Sequence, residues 1–250
     1  MKLLSEFAIQ LYSVKDETSK DFTGTLEKLG KNGFGYTGVE FAGYGDLSAD
    51  EMKAVLADNG LDAVGSHVGI DRLLNNLDEE IAYNKAVGSK YIICPGAEME
   101  TKEGVIELAK SLTPVVEKIT ASGLKFAYHN HAHEFVTDDG EYLLDIFFDN
   151  LPATAIMELD IYWNEYAGVE TLGYMEKHKK RLEILHLKQI DSDKNNVDFD
   201  QGILDFWVII KKAKENGVKY FIMEQEEYEV SPMASAENNV KFILNLEEND

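Results

Sequence analysis

The densest chemistry in the sequence lies at Phe126–Phe135, FAYHNHAHEF, where His129, His131, His133 and Glu134 crowd into one short segment. Imidazole and carboxylate together are a donor set for a divalent metal. A hydrogen-bonded polar loop is the plainer account of this stretch taken by itself. An apolar run from Leu124 to Tyr128 leads into it and reads as a strand. His129 and His131 alternate along that strand, so they share a face and Asn130 takes the other.

Other polar residues meet apolar runs in the same way. Asp160 closes the run Ala155–Leu159, His186 lies within Leu182–Leu187, and Glu224 follows Val218–Met223. A charge placed directly after an apolar strand needs a partner, and a shared cation is one. Glu134, Asp160, His186 and Glu224 therefore form a candidate metal set. Its carboxylates and imidazole suit one divalent cation, Mn, Zn, Mg or Co, with positions left for substrate oxygens. His129 or His131 can stand in for Glu134. The plainer roles are a helix cap for Asp160, a satisfied core histidine for His186 and a solvated acidic run for Glu224.

Lys188 follows His186 by two and shares its face, where it can polarise an oxygen or hold an anion; a snorkelling surface lysine is the alternative. Gln10, Tyr12 and Ser13 end the first apolar run, Glu40 the second and His67 the third, with Glu98 just past the fourth. Tyr12, Phe41 and Trp163 are candidate apolar walls for a sugar ring.

These residues need a scaffold that gathers strand ends. Short β-type runs alternate with longer stretches of helical pattern. The strands read as Phe7–Tyr12, Thr37–Phe41, Leu61–Ser66, Lys90–Cys94, the Leu124 run, Ala155–Leu159, Leu182–Leu187 and Val218–Met223. Helices are expected from about Thr18 to Gly33, from the cap Ser48 to Asn59, over Asp78–Val87, from the cap Thr101 to Gly123, and over Tyr142–Asn150, Glu170–Lys180, Ile203–Asn216 and Ala234–Leu246. Eight βα units of this size predict an α/β fold, a (β/α)8 TIM barrel of parallel strands, over residues 1–250 as a single domain. An open doubly wound sheet is the runner-up, weakened by the lack of a GxGxxG after the first strand. In a barrel the polar strand ends converge on one face, the catalytic one.

Composition narrows the partners. A net charge of -22 over 250 residues repels nucleic-acid phosphates and anionic membranes. The single cysteine, Cys94, excludes an intrachain disulfide and suits a reducing compartment. The N-terminal MKLLSEFAIQLYS is too short in apolar character for a signal peptide, and no stretch approaches a membrane helix. A cytoplasmic protein binding a small molecule is expected, with a homo-oligomer left open.

In order along the chain, IQLYSV, GVEFAG, SHVG, YHNHAHEF, ELDIYW, LHLKQ and MEQEEY resemble the sugar phosphate isomerase/epimerase family of xylose isomerase-like TIM barrels. The resemblance spans essentially the whole chain. It implies one divalent metal held by Glu134 (or the His129/His131 position), Asp160, His186 and Glu224. Gln189 and Glu226 stand where aspartates are common in that family, and His129 and His131 where many ketose epimerases carry a glutamate. The implied activity is isomerisation or epimerisation of a sugar or sugar derivative through an enediolate. Glu224 would be the general base, with Glu134 or a strand-five histidine such as His131 as the acid. Lys188, His67, Gln10, Tyr12, His129 and Trp163 would contact substrate. An inosose-type dehydratase or keto-sugar lyase could use the same metal site. A non-catalytic sugar-binding barrel and an AP-endonuclease-like hydrolase are the remaining readings, the latter disfavoured by charge.

Overall fold

Alternation along each strand decides this architecture. A computed structural model describes residues 7–248. Residues 1–6, on which part of the leader reading rests, and the last two residues of the 1–250 span lie outside it. The strands are β1 Phe7–Gln10, β2 Gly38–Phe41, β3 Asp62–His67, β4 Tyr91–Cys94, β5 Lys125–His129, β6 Ile156–Asp160, β7 Leu182–Leu187 and β8 Tyr220–Met223. All neighbours are parallel, and β1 pairs with both β2 and β8, so the sheet closes. The TIM barrel expected from the sequence is the observed fold, and the open sheet is not.

One helix packs behind each strand: α1 Phe22–Leu29, α2 Ala49–Asn59, α3 Leu77–Val87, α4 Lys102–Ala121, α5 Leu143–Asn150, α6 Thr171–His178, α7 Phe206–Glu215 and α8 Pro232–Glu248. Their starts follow side-chain caps. Ser48 and Glu51 form a reciprocal capping box on α2. Asp21 accepts the Gly24 N–H at 2.9 Å, so α1 begins later than the expected Thr18. Asp205 likewise moves the start of α7 from Ile203 to Phe206. β1 stops at Gln10 and not Tyr12, because the Gln10 side chain accepts the Tyr12 N–H and turns the chain into a 3-10 turn, Leu11–Val14. Among the described residues no helix is long and apolar enough to cross a membrane.

The two faces of the strands bury different things. Outward residues such as Ile9, Val39, Phe126, Leu159 and Leu185 form the main core under the helices. Inward residues Ala8, Val64, Tyr91, Ile93, Ala127, Ile156, Ile184 and Ile222 form a separate apolar plug inside the barrel. Gly38 belongs to this floor: a Cβ there would lie 3.1 Å from Val64 and 3.3 Å from Ala8.

Two residues further along six of the strands, the inward position turns polar. Ala8 gives way to Gln10, Gly38 to Glu40, Ala127 to His129, Ile156 to Glu158 and then Asp160, Ile184 to His186 and then Lys188, and Ile222 to Glu224. A register shift between Met157 and Glu158 sets Asp160 level with His186, while Glu158 lies level with His129.

Candidate active site at the barrel mouth

Above the apolar plug lies a buried polar layer. Gln10, Glu40, Glu158, Asp160 and His186 are fully buried, and His129, Lys188 and Glu224 nearly so. Four carboxylates therefore sit inside the barrel beside one lysine and three imidazoles. The His67 ring stacks parallel to His186 at 5.7 Å, and the His129 ring lies 4.6 Å from His186.

The deeper contacts run through Glu40 and Glu158. Gln10 Nε2 donates to Glu40 Oε2 at 2.7 Å. His67 Nε2 lies 2.7 Å from the same oxygen and 3.0 Å from Glu158 Oε2. His186 Nε2 lies 3.0 Å from Glu40 Oε2, and its Nδ1 lies 2.7 Å from Glu224 Oε2. Burial would raise the Glu40 pKa, but the charges of His67 and His186 hold it below the carboxylate range. Burial also opposes charge on His67, yet Glu40 and Glu158 push it up to about 10. His129 and His131 go the other way: burial brings them down to about 3 and about 4.

Nearer the mouth, Asp160 Oδ1 accepts the N–H groups of Tyr162 at 2.8 Å and Trp163 at 3.3 Å, capping a short helix, Ile161–Tyr166. Its Oδ2 is buried without a partner, and burial lifts its pKa to about 7. Glu224 is different. Burial opposes its charge, but Lys188 and His186 hold it well below the usual range. Lys188 is buried, pairs with Glu226 and lies over the rings of Tyr162 and Trp163. It is no surface lysine.

The fit to a cation can be tested on the orphaned atoms. Glu40 Oε1, His129 Nδ1, Glu158 Oε1 and Asp160 Oδ2 are buried without a hydrogen bond, although His129 Nδ1 lies 3.4 Å from Glu158 Oε2 and Glu158 Oε1 lies 3.4 Å from His186 Nε2. Oxygens taken out of water need a cation or a donor. Ligand atoms of His129, Asp160, His186 and Glu224 lie within 4.8 Å of one another, as do those of His67, His129, Glu158 and His186. The buried His/Glu cluster is thus consistent with a metal site, and either set suits a divalent ion.

The expected fourth ligand, Glu134, is not brought to Asp160, His186 and Glu224. The chain turns outward after His129, and Glu134 folds back under its own loop in a 3-10 turn, His133–Phe135. There it accepts from the Tyr128 hydroxyl at 3.0 Å and the His131 N–H at 2.9 Å, with His133 Nδ1 at 3.3 Å. Its ligand atoms group instead with those of His131 and His133, apart from the set that holds Asp160, His186 and Glu224. His129 occupies the place.

A cavity of about 360 Å³ opens over the cluster, lined by Tyr12, His67, Pro95, His129, His131, Glu224 and Glu226, with Ala42. A wider, more apolar cavity of about 1000 Å³ adjoins it through His131 and carries Trp163, Met99 and Val136. Trp163 thus walls the wide cavity. Phe41 is core and walls neither. Gln10 is sealed beneath the cavity. Gln189 holds the loop after β7, bonding to Phe199, Ile190 and Leu204. Glu158 escaped sequence reasoning because ELD was read only at its aspartate; counting two back from Asp160 along the strand finds it.

A parallel barrel with carboxylates and imidazoles gathered at the C-terminal strand ends defines a class of metal-fitted TIM barrels. The profile of the xylose isomerase-like TIM barrel family matches residues 31–246, and the chain belongs to that family. Among solved structures, a sugar phosphate isomerase/epimerase from Parabacteroides distasonis is similar at 23% identity and TM-score 0.84, over 96% of this chain and 98% of that one. An IOLI protein solved with a zinc atom gives 13% identity and TM-score 0.74, covering 98% of both chains. An L-ribulose 3-epimerase gives 14% identity and TM-score 0.71, over 98% of this chain and 95% of the other. No curated protein sequence matches significantly.

Proposed function

We propose that this chain is a metal-dependent isomerase or epimerase of a sugar or sugar derivative, moving a proton α to a carbonyl. The observation that carries the reading is the set of buried carboxylate and imidazole atoms left without a hydrogen bond beneath a sugar-sized cavity. His129, Asp160, His186 and Glu224 are the proposed ligands. The names of the Parabacteroides and L-ribulose 3-epimerase structures support the chemistry, and the zinc of the IOLI structure supports the ion. A divalent ion held there supplies Lewis-acid polarisation of a carbonyl and its neighbouring hydroxyl.

The chain's own groups do the rest. His131 lines the cavity, and burial keeps it in the unprotonated form that a general base must start from. Its backbone N–H is tied to Glu134, which fixes the loop that carries it. Glu224, held ionised, serves as a ligand and leaves the base role to His131. Lys188 offsets the negative charge of Asp160 and Glu224. Tyr12, half-exposed at the rim, offers a face to a sugar ring. The adjoining apolar cavity leaves room for a substituent on that sugar. The same constellation could expel a β-hydroxyl, which makes a dehydratase or lyase the second reading.

The test has two stages. Purified protein is analysed for metal by mass spectrometry beside an Asp160→Ala/His186→Ala variant. About one divalent ion per chain, absent from the variant, is expected. The metal-loaded protein is then incubated in heavy water with a panel of ketoses and keto-inositols. Deuterium at the α carbon with unchanged formula supports epimerisation or isomerisation. Loss of water from the substrate favours the second reading. A protein that holds no ion after manganese or zinc is supplied overturns both.

A further inference from the structure

We infer that the substrate is a sugar derivative that carries no phosphate and bears an uncharged apolar substituent as large as an aromatic ring. The sugar stands over the buried cluster and the substituent lies in the wide cavity. The inference deepens the isomerase reading and rests on it for which cavity holds the sugar.

The two cavities share one wall, His131. A molecule that fills both is therefore polar at one end and apolar at the other. His67, His129 and Glu224 line the narrow cavity and match hydroxyl groups. Ala97, Met99, Ala132, Val136 and Trp163 line the wide one. Val136 is 53% exposed there, an apolar side chain that gains by being covered. The Trp163 ring lies 5.3 Å from His131, and His131 lies 6.0 Å from His133 with the two imidazoles tilted by only 24°. Such a wall suits a flat ring. It suits a second sugar poorly, because the polar edges of His133 are already engaged: Nε2 is 2.9 Å from the Ala97 carbonyl and Nδ1 is 3.3 Å from Glu134 Oε2. Sugar hydroxyls placed there would leave water for too few partners.

Charge excludes the phosphate. Among the described residues, Glu98, Glu100, Glu224 and Glu226 line the two cavities and no lysine or arginine does. The basic groups nearby are engaged. Lys188 pairs with Glu226, Lys15 lies 3.8 Å from the centre of the Tyr12 ring, and Lys194 donates to the Tyr166 carbonyl at 2.8 Å. Parallel barrels frequently bind phosphate between the loops after β7 and β8, on a helix N-terminus. Here those loops carry Asp198, Asp200, Glu226, Glu227 and Glu229, and α8 opens at Pro232, which has no N–H to offer. The N-terminus of α4, next to Glu100, is closed by its own chain: Thr101 accepts the Gly104 N–H at 3.2 Å and Asp138 the Lys102 N–H at 3.4 Å. Beyond the cation, a dianion brought to this mouth meets like charge.

Full-length, zinc-loaded protein is titrated calorimetrically with methyl and phenyl β-glycosides of glucose, galactose and mannose, with the 6-phosphates of the same sugars, and with cellobiose. In at least one configuration the phenyl glycoside should bind about 10–50-fold tighter than the methyl, the worth of roughly 55–95 Å² of ring taken out of water. The 6-phosphate of that sugar should bind more weakly than its methyl glycoside, and cellobiose should gain little. Trp163→Ala, and independently Val136→Asp at an exposed position, should bring the phenyl-to-methyl ratio toward one. Equal affinity within the pair in every configuration, undetectable binding included, overturns the inference. So does a phosphate or a second sugar that binds as tightly as the phenyl glycoside. A phenyl preference in a protein that exchanges no deuterium with any keto-sugar keeps the substituent site and removes the isomerase reading. Exchange with free ketoses beside equal phenyl and methyl affinities does the reverse.

Discussion

Asp160 holds a helix with one carboxylate oxygen and is left unpartnered at the other, and a single substitution separates the two roles. Asp160→Asn keeps an oxygen to cap Tyr162 and Trp163 while removing the charge at Oδ2. A ligand at 1,000 times its Kd stabilises the native state by about 4.1 kcal/mol. For a chain of this size each kcal/mol moves Tm by about 2–4 °C, so zinc or manganese should raise wild-type Tm by about 8–16 °C. A hundredfold weaker Asp160→Asn at the same concentration retains about 1.4 kcal/mol, or about 3–6 °C. Without metal the variant should match wild type, because burial already pushes Asp160 up to about 7 and half-neutralises it near neutral pH. Asp160→Ala should fall by a further ~1 kcal/mol in both states through loss of the cap. The assay is differential scanning fluorimetry across a metal titration. A full metal-dependent shift in Asp160→Asn would refute the reasoning: the oxygen would then be a cap and nothing more.

Lys188→Met should cost about 3–5 kcal/mol in urea unfolding, since it strips the buried cation from Asp160, Glu224 and Glu226. A loss under ~1 kcal/mol would mean that those carboxylates are neutral already. Glu134→Gln should leave metal stoichiometry unchanged, because Glu134 serves Tyr128 and the His131 amide; mass spectrometry showing an empty variant would restore it as a ligand. Asp145 on α5 tests acid stability away from the site. Burial would raise its pKa, but His178 and Lys177 lower it. A depressed folded pKa contributes stability above the unfolded value, about 3.9, that is lost as pH falls through the folded one. Asp145→Asn should therefore narrow the stability gap to wild type below about pH 4, and a constant gap down to pH 2 would contradict the sign.

The barrel was legible because its signals are local. Eight apolar runs, their caps and their glycine stops lie within short windows, and a closed parallel sheet is what such alternation builds. Most site residues were visible for the same reason: Asp160, His186 and Glu224 stand at strand ends. Glu134 was hard to place because its position depends on how four residues after His129 turn, and that turn sets it against the Tyr128 hydroxyl. Glu40 and Glu158 were harder to assign, since inward and outward carboxylates look alike until the register slips at Val39/Glu40 and Met157/Glu158 are known. Gln10 was placed at a strand end, but nothing in the sequence set it beneath the cavity and not beside a substrate.

Asn130, opposite the histidines on β5, has its own consequence. Its side-chain oxygen accepts the Asp160 N–H at 3.0 Å and its amide reaches back to the Asp160 carbonyl at 3.5 Å. A side chain thus acts as one more peptide unit, adding a rung to the ladder where the β5 backbone has already left it. His129 and Asp160 ride on the two strands that this rung joins. Their separation is set by sheet geometry and not by loop conformation, so the cavity above can widen or narrow with its loops while the jaw holding the ion keeps its gauge.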